Sequence, residues 1–446
     1  MSLIDSAGTP LSGATPSALD AYERAVSDSR SWRTGAEEQI DAALQNAPQF
    51  VMAHVLQAWL LVCSRDPRRV QSARTVLARA SRMPSNERER GHLAALDAVL
   101  GEDLERGVAW LGELLRNHPR DVLALQVAHV FDYYLGDAGR LADRAAVVLP
   151  AWSPDMPGYH AVLSMHAFGL AENGDYARAE EAALAALGLN PLDARAHHVM
   201  AHVFEMSERP DDGIRWMSAH AAAWSVDTVV ATHAWWHCAL FHLAQGRVND
   251  ALALYDQRIR SRPSRAVADL IDAAALLWRI ELARGDAAER WTELATAWIP
   301  HIDDAYCSFT DIHAMLAFVG ARDWKSARRL ESSLMAGQPR ATRHAATTRL
   351  LGLPACRALM AYGRGNDAVA IRLLAGIPPH AERLGGSHAQ RDVLHLTLQR
   401  AVDRMRRPRA PRKLVDQVRA LFPKRGASGG VALVRNGRAG PLPNPT

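Results

Sequence analysis

Apolar residues along this chain recur with a helical period. In the segments 160–172 (HAVLSMHAFGLAE) and 177–188 (ARAEEAALAALG) they stand at i, i+3, i+4 and i+7, which places them on one face of an α-helix. Breakers at Asn173-Gly174-Asp175 and Asn190-Pro191 separate such segments. No sustained alternation with a period of two is present, so the sequence predicts an all-α fold.

The helical segments also repeat as units. Aligning the units on the small residue that follows each internal turn gives spacings between 34 and 41 residues, at Ala73, Gly107, Ala142, Ala179, Gly213, Ala251, Arg290, Ala327 and Ala368. The bulky Arg290 marks the array as degenerate. The unit resembles the tetratricopeptide repeat, whose short helix hairpins stack because none can bury its apolar face alone.

The repeat defines the expected domain organisation. We predict a superhelical array of tetratricopeptide-like helix hairpins, an α-solenoid, over residues 16–403. Residues 1–15 are rich in Ser, Gly, Thr and Pro, so we expect a loose N-terminal tail. Residues 404–446 are expected to form a basic, Gly- and Pro-rich C-terminal tail.

Net charge and cysteine content indicate which partners and which cellular compartment to expect. The chain has 52 Lys and Arg residues against 48 Asp and Glu residues, a net charge of +4. Much of this excess lies in the C-terminal tail. The body is therefore near neutral in charge, which predicts no groove for nucleic acid. The four cysteines form no CxxC pair, which favours a reducing compartment. Since neither a signal peptide nor an apolar run of 18 residues is present, we expect a cytoplasmic protein without membrane contact.

Ionisable residues recur in the otherwise apolar first helices of four consecutive units. Their spacing puts several on one helix face, and buried charges need partners. We therefore expect them to converge on one pocket at the middle of the concave face. The predicted catalytic residues are His202, Glu205, His233, His237, Asp272 and His313, and the predicted ligand-binding residues are Arg279, Asp311, Trp236, His198, Gln390 and Arg391. A purely structural inner network is the alternative.

Two pairs of histidines have the spacing of metal ligands. His198 and His202, like His233 and His237, are four residues apart, which lets two imidazoles reach one ion. Neither pair is the H-E-x-x-H motif of zinc peptidases, and a chain with 19 histidines contains such pairs by chance. The sequence alone therefore predicts no metal site and no cofactor.

Several longer stretches carry a family resemblance. They are AHHVMAHVFEM (196–206), THAWWHCALFHL (232–243), ALALYD (251–256), LIDAAALLWRIEL (270–282), FTDIHAMLAFVGA (309–321) and GGSHAQRDVLHLTL (385–398). In this order they resemble the tetratricopeptide repeat protein 38 family over roughly residues 20–400, with Leu394 where that family usually has an aromatic residue. The resemblance implies a repeat fold and assigns no reaction, but its motifs coincide with the polar residues of the first helices.

Two functions from different classes follow. The first is a repeat superhelix that binds a small molecule or a peptide in its concave groove, an expectation based on architecture. The alternative is an enzyme for a tailoring or biosynthetic step that uses the inner His, Asp, Glu and Arg residues as acids, bases and anion ligands, with metal assistance as a weaker variant.

Overall fold

Antiparallel helix pairs follow one another along almost the whole chain. The structure, a computed structural model, describes residues 3–337 and 342–405. The helix pair α1 (Pro16–Arg30) and α2 (Ala36–Asn46) comes first, after two paired two-residue strands, β1 (Leu3–Ile4) and β2 (Pro10–Leu11). The predicted all-α repeat array is confirmed.

Nine further helix pairs form the described array. They are α3 (Val51–Val62) with α4 (Pro67–Ala80), α5 (Glu87–Leu100) with α6 (Leu104–Asn117), α7 (Val122–Leu135) with α8 (Ala138–Val148), α9 (Tyr159–Glu172) with α10 (Tyr176–Leu189), α11 (Ala194–Met206) with α12 (Pro210–Ala219), α14 (Ala231–Ala244) with α15 (Val248–Leu254), α16 (Val267–Leu282) with α17 (Ala288–Trp298), α18 (Ser308–Gly320) with α19 (Trp324–Ala336), and α21 (Leu353–Gly363) with α22 (Asp367–Leu374).

Short helical segments connect or extend these pairs. Two π-helical turns extend α15 and precede α21, at Tyr255–Ile259 and Thr348–Gly352. The remaining helices are α13 (Ala221–Ser225), α20 (Arg343–Thr347), the 3-10 turns Leu149–Ala151, Ile299–His301 and Pro378–Leu384, and the final helix α23 (His388–Met405).

A left-handed residue closes the first helix of each of the nine pairs. These residues are Arg65, Glu102, Gly136, Gly174, Glu208, Gly246, Arg284, Arg322 and Gly365. In several of these turns the next N–H reaches back five residues, as Asp175 donates to Leu170 and Arg209 to Phe204. This hydrogen bond satisfies a helix-terminal carbonyl and sets the angle at which the second helix returns. A left-handed residue at this position therefore recurs in each of the nine helix pairs.

Most of the small residues used to align the sequence are buried in the second helices. Ala73, Ala179, Ala251 and Ala327 are fully buried, and Gly107 and Gly213 are buried too.

The alignment misses the buried position in three of the units. Ala142 and Arg290 are only half-buried and Ala368 is exposed. Leu141 and Ala370 occupy the buried positions instead. Variable lengths of the internal turns shift the register by one or two residues, which a fixed alignment cannot follow.

The chain's own C-terminal segment covers the inner surface of the array. The first helices are buried almost all round; in α18 every residue from Ser308 to Val319 is buried. Helix α23 packs on the first helices α11, α16 and α21, and the turn Pro378–Leu384 packs on α7. Trp278 of α16 donates to Thr397 of α23 over 2.8 Å. The expected open concave groove is therefore occupied by residues 378–405.

The N-terminal residues are held against the body, which differs from the loose tail that composition suggests. Leu11 is buried, and Arg88 donates to Asp5 over 2.8 Å. The Ser12 N–H donates to Glu89 over 2.8 Å. Buried polar partners on α5, which composition cannot reveal, fix this segment. Of the expected C-terminal tail, only Arg404 and Met405 lie within the described residues, as the end of α23.

Contacts also join the two halves of the array. The Thr34 N–H donates to the Asp227 carbonyl and the Val229 N–H donates to the Trp32 carbonyl. Arg68 lies 3.0 Å from Nδ1 of His301, and Arg343 forms an ion pair with Glu105. In the part of the chain that the structure describes, no helix combines the length and apolarity needed to cross a bilayer.

Close helix packing yields a stability prediction. A Cβ on Gly169 of α9 would lie 2.6 Å from the Cα of Ala142 in α8, so Gly169→Ala should force the pair apart and lower the free energy of unfolding by about 1–3 kcal/mol. Gly188→Ala, which meets nothing within 4 Å, is the matched control and should be neutral or stabilising by up to about 1 kcal/mol. Urea unfolding measures both, and equal effects would contradict the packing argument.

Candidate metal and ligand site

Four histidine side chains from two neighbouring first helices meet at one point. They are His198 and His202 of α11 and His233 and His237 of α14, which we call the histidine cluster. One ring nitrogen of each lies within 4.8 Å of the corresponding nitrogen of the other three. The Nε2 atom of His198 lies 3.0 Å from Nε2 of His202 and 3.0 Å from Nε2 of His233.

The local sequence explains this convergence. Asp193 caps α11 by accepting the N–H groups of Arg195 and Ala196, which fixes where the helix begins. Residues four apart lie on one helix face, so each pair of histidines presents both rings to the same side. Because α11 and α14 are packed as neighbouring first helices, the two pairs face each other.

Two carboxylates orient the rings of α14 from behind. Nδ1 of His233 lies 3.0 Å from both carboxylate oxygens of Asp272 on α16, and Nδ1 of His237 lies 2.8 Å from Glu205 on α11. A proton on Nδ1 donated to a carboxylate leaves Nε2 with a lone pair. Both Nε2 lone pairs therefore point into the cluster, the arrangement in which carboxylates support metal-bound histidines.

Burial favours the uncharged form of three of the four imidazoles. Removal from water, followed by the neighbouring imidazoles, holds the pKa values of His198 and His202 well below their usual range. Burial likewise lowers the pKa of His237. Neutral imidazole is the form that binds metal ions, so these rings need not lose a proton first.

Two carboxyl groups near the cluster are unusually basic. Burial raises the pKa of Glu205 to about 7, against the opposing charge of Arg279. Burial also raises the pKa of Glu172 to about 7, and its carboxylate lies 4.0 Å from Nδ1 of His202. A nearby cation would favour the ionised form of both groups.

Aromatic rings lock the imidazoles in place. Trp236 stacks on His233 with ring centroids 5.2 Å apart. Phe168 stacks on His198 at 5.6 Å and meets His202 edge-on at 5.4 Å, while Trp32 packs at 5.3 Å from His198. Side chains held in this way position ligand atoms without a further entropic cost on binding.

A cavity of about 320 Å³ opens beside the cluster. His198, His233 and Asp272 reach its wall, together with Trp32, Tyr133 and Arg195. The volume lies at the small end of the range for ligand pockets, about 300–1,000 Å³. A small organic molecule fits such a space, and it would touch the edge of the histidine cluster.

The structure brings together most of the predicted site residues. His198, His202, Glu205, His233, His237 and Asp272 form the cluster and its carboxylate support, and Trp236 stacks on it. Gln390 joins them from α23, accepting a hydrogen bond from the Tyr133 hydroxyl, and its Nε2 lies 3.5 Å from Asp272.

Four predicted residues lie outside the cluster and outside the cavity wall. Arg279 donates to the Ala389 carbonyl and so ties α16 to α23, and Arg391 donates to the Gly386 carbonyl. Nδ1–H of His313 donates to the Phe309 carbonyl over 2.7 Å, one turn earlier. Asp311 is buried elsewhere on α18. Sequence periodicity gives the helix face but not which neighbour that face meets.

Several residues of the site have no signal in the repeat pattern. Trp32 and Arg65 stand in turns with left-handed backbone, at φ 57° and 60°, and reach the cavity only because the two halves of the array meet. Arg195 occupies the first turn of α11, beside its cap. The sequence hint for Arg195 was its position three residues before His198, on the same helix face.

No known protein-family model matches the chain.

The burial of Asp311 yields a pH-dependent prediction. Among the described residues, one of its buried carboxylate oxygens has no hydrogen-bond partner, and burial raises its pKa well above the usual value. In a native state with a raised pKa, the stabilising contribution is complete below the unfolded-state pKa of about 3.9 and is lost as pH rises through the native value. Asp311→Asn removes this titration.

We expect the free energy of unfolding of Asp311→Asn, relative to wild type, to increase between pH 4 and pH 7, by about 1–3 kcal/mol. Urea unfolding at several pH values checks this, with Asp303→Asn at an exposed position as control. A variant less stable than wild type at every pH would show that the carboxylate has a stabilising partner.

Proposed function

We propose that the histidine cluster binds one divalent transition-metal ion and that the protein uses this ion on a small molecule held in the adjacent cavity. The observation that carries the proposal is the convergence of four imidazole nitrogens with two carboxylates behind them. Imidazole ligands suit zinc, copper, iron and nickel. In a tetrahedral site with bonds near 2.05 Å, ligand nitrogens are about 3.3 Å apart, close to the observed 3.0 Å contacts.

The electrostatics of the cluster favour a cation. Nε2 of His237 points into the cluster, and within the part of the chain that the structure describes it has no hydrogen-bond partner. Buried polar atoms without partners are costly, and a metal ion would engage all four inward nitrogens at once.

Four neutral ligands leave the positive charge of the ion undiminished. A metal ion of this kind polarises a bound oxygen or acidifies bound water. Two of the four ligands, His198 and His233, also line the cavity, so a ligand there approaches the ion from that side. Ions that accept five or six ligands keep a position for it.

A closed structural metal site is the second candidate, since structural zinc sites have four protein ligands. The adjoining cavity favours a working site, because a structural ion needs no cavity. A peptide-binding role has less support, since residues 378–405 cover the inner surface that would hold the peptide.

The repeat family and the location of the protein are also proposed. We propose that the hairpins are tetratricopeptide repeats and that the chain is related to the tetratricopeptide repeat protein 38 family, supported by the stretches quoted above. The four cysteines, all free, support a reducing, cytoplasmic location.

Metal binding provides the direct test. Purified protein should bind about one equivalent of Zn²⁺ or Co²⁺ per chain, and His202→Ala and His237→Ala should weaken binding by more than about 100-fold, because supporting residues alone contribute about 10–100-fold. His242→Ala is the matched control, since His242 lies on the same helix and outside the cluster. Absence of stoichiometric binding of Zn²⁺, Co²⁺, Ni²⁺ and Cu²⁺ would contradict the proposal.

The same complex distinguishes a working site from a structural one. Azide should change the visible absorption of the Co²⁺ protein if a coordination position is open. An unchanged spectrum, together with a large rise in melting temperature on metal binding, would support the structural candidate instead.

The supporting carboxylates make a separate prediction. Asp272→Asn and Glu205→Gln keep the shape of the side chain but weaken the hydrogen bond to the ligand histidine, so metal affinity should fall by about 10–100-fold. Glu181→Gln on the outer helix α10 serves as control. Isothermal titration calorimetry measures all three, and unchanged affinity in both cluster variants would show that the carboxylates do not support a metal ion.

A further inference from the structure

One cation at the edge of the cavity has no hydrogen-bonded counter-ion within the described residues 3–337 and 342–405. Arg195 is 3% exposed, and in this part of the chain its buried Nε and Nη2 atoms have no hydrogen-bond partner. Asp193 acts on the charge of Arg195 through space, but its carboxylate is hydrogen-bonded elsewhere: it accepts from two N–H groups of α11 and contacts Nδ1 of His160 at 2.8 Å. Buried guanidinium N–H groups without an acceptor are costly, so this position favours an anion.

Aromatic side chains line the cavity, and one of them contacts this cation. The Arg195 guanidinium lies 4.3 Å from the centre of the Trp32 ring. Phe168, Tyr133 and Tyr134 also line the cavity. These faces suit a flat, apolar body, for which stacking is favourable.

The other charged groups around the cavity already have partners. Arg65, unlike Arg195, has a side-chain hydrogen bond, to Tyr134, whose ring it also contacts at 4.2 Å. Asp272 holds His233 and contacts Gln390. Hydrogen bonds from Ser264 and Thr232 act on Asp269, whose pKa is nevertheless raised by burial. Arg195 is thus the cation left for an incoming anion.

We propose that the cavity binds a flat aromatic carboxylate, with its carboxylate on Arg195 and its ring against the aromatic side chains of the cavity wall. A planar guanidinium matches a carboxylate through two parallel hydrogen bonds. Arg195 and His198 are three residues apart on α11, hence on the same face, so the far end of the molecule meets the histidine cluster. Only this orientation rests on the proposed metal site; the anion pocket itself does not.

The pocket is tested first on metal-free protein, treated with a chelator, using 4-fluorobenzoate as the probe. The fluorine resonance reports binding, and 4-fluorobenzamide is the neutral control of the same shape. We expect at least tenfold tighter binding of the carboxylate. Equal binding of the two probes, or no binding of either, overturns the proposal, and tighter binding of 4-fluorophenyl phosphate overturns the assignment to a carboxylate.

Variants then locate the anion. Arg195→Met should abolish the preference for the carboxylate, and Arg178→Met, at an exposed position on α10, should keep it. Arg195→Met should also raise the melting temperature of the ligand-free protein, because it removes an unpaired buried charge. Arg195→Gln is a second variant should the first fail to fold. A preference that survives in the folded Arg195 variant overturns the assignment.

Added Co²⁺ tests the orientation and separates this inference from the proposed function. If both hold, the paramagnetic ion should strongly broaden the fluorine resonance of bound 4-fluorobenzoate. Loss of metal binding with retained carboxylate preference would refute the metal site alone. Carboxylate binding that occurs only with metal present, and equally in Arg195→Met, would refute the Arg195 pocket alone.

Discussion

The structure depends on one constraint: the first helices of the array carry apolar residues on nearly every face, so their inner surface must be covered. In α16 every residue from Leu270 to Ile280 is buried, which no pair of stacked hairpins achieves alone. Residues 378–405 supply the cover. Since burial of apolar surface dominates folding energetics, this internal segment determines what space remains inside, and that space is the small cavity beside the histidine cluster.

The histidine cluster is a group of polar side chains within an otherwise apolar helix surface. Its rings are held by Trp236, Phe168 and Trp32, and its protons are directed by Asp272 and Glu205. Core packing requires none of these groups, and leucine at the same positions would fill the volume without any desolvation cost. Exclusion of water strengthens each electrostatic interaction here, which is valuable for a site that binds ions.

The sequence was sufficient to predict the features that depend on contacts between neighbouring units. The period near 37 residues predicts the hairpins, and helical spacing places His198, His202, His233 and His237 on facing sides. Contacts between distant parts of the chain could not be predicted from the repeat. Trp32, Arg65 and Arg195 line one cavity because the array returns on itself. His313 and Asp311 show the converse, since a polar residue on a first helix can equally end against its own backbone or in the core.

The contacts between the two halves set this chain apart from an open solenoid. In an open array each unit touches only its neighbours, and units can be gained or lost at either end. Here the backbone of residues 32–34 pairs with that of residues 227–229, and Arg343 bonds to Glu105. Inserting or deleting one hairpin would misalign both seams, so the number of units is fixed by geometry, and diversification within this architecture must proceed by substitution.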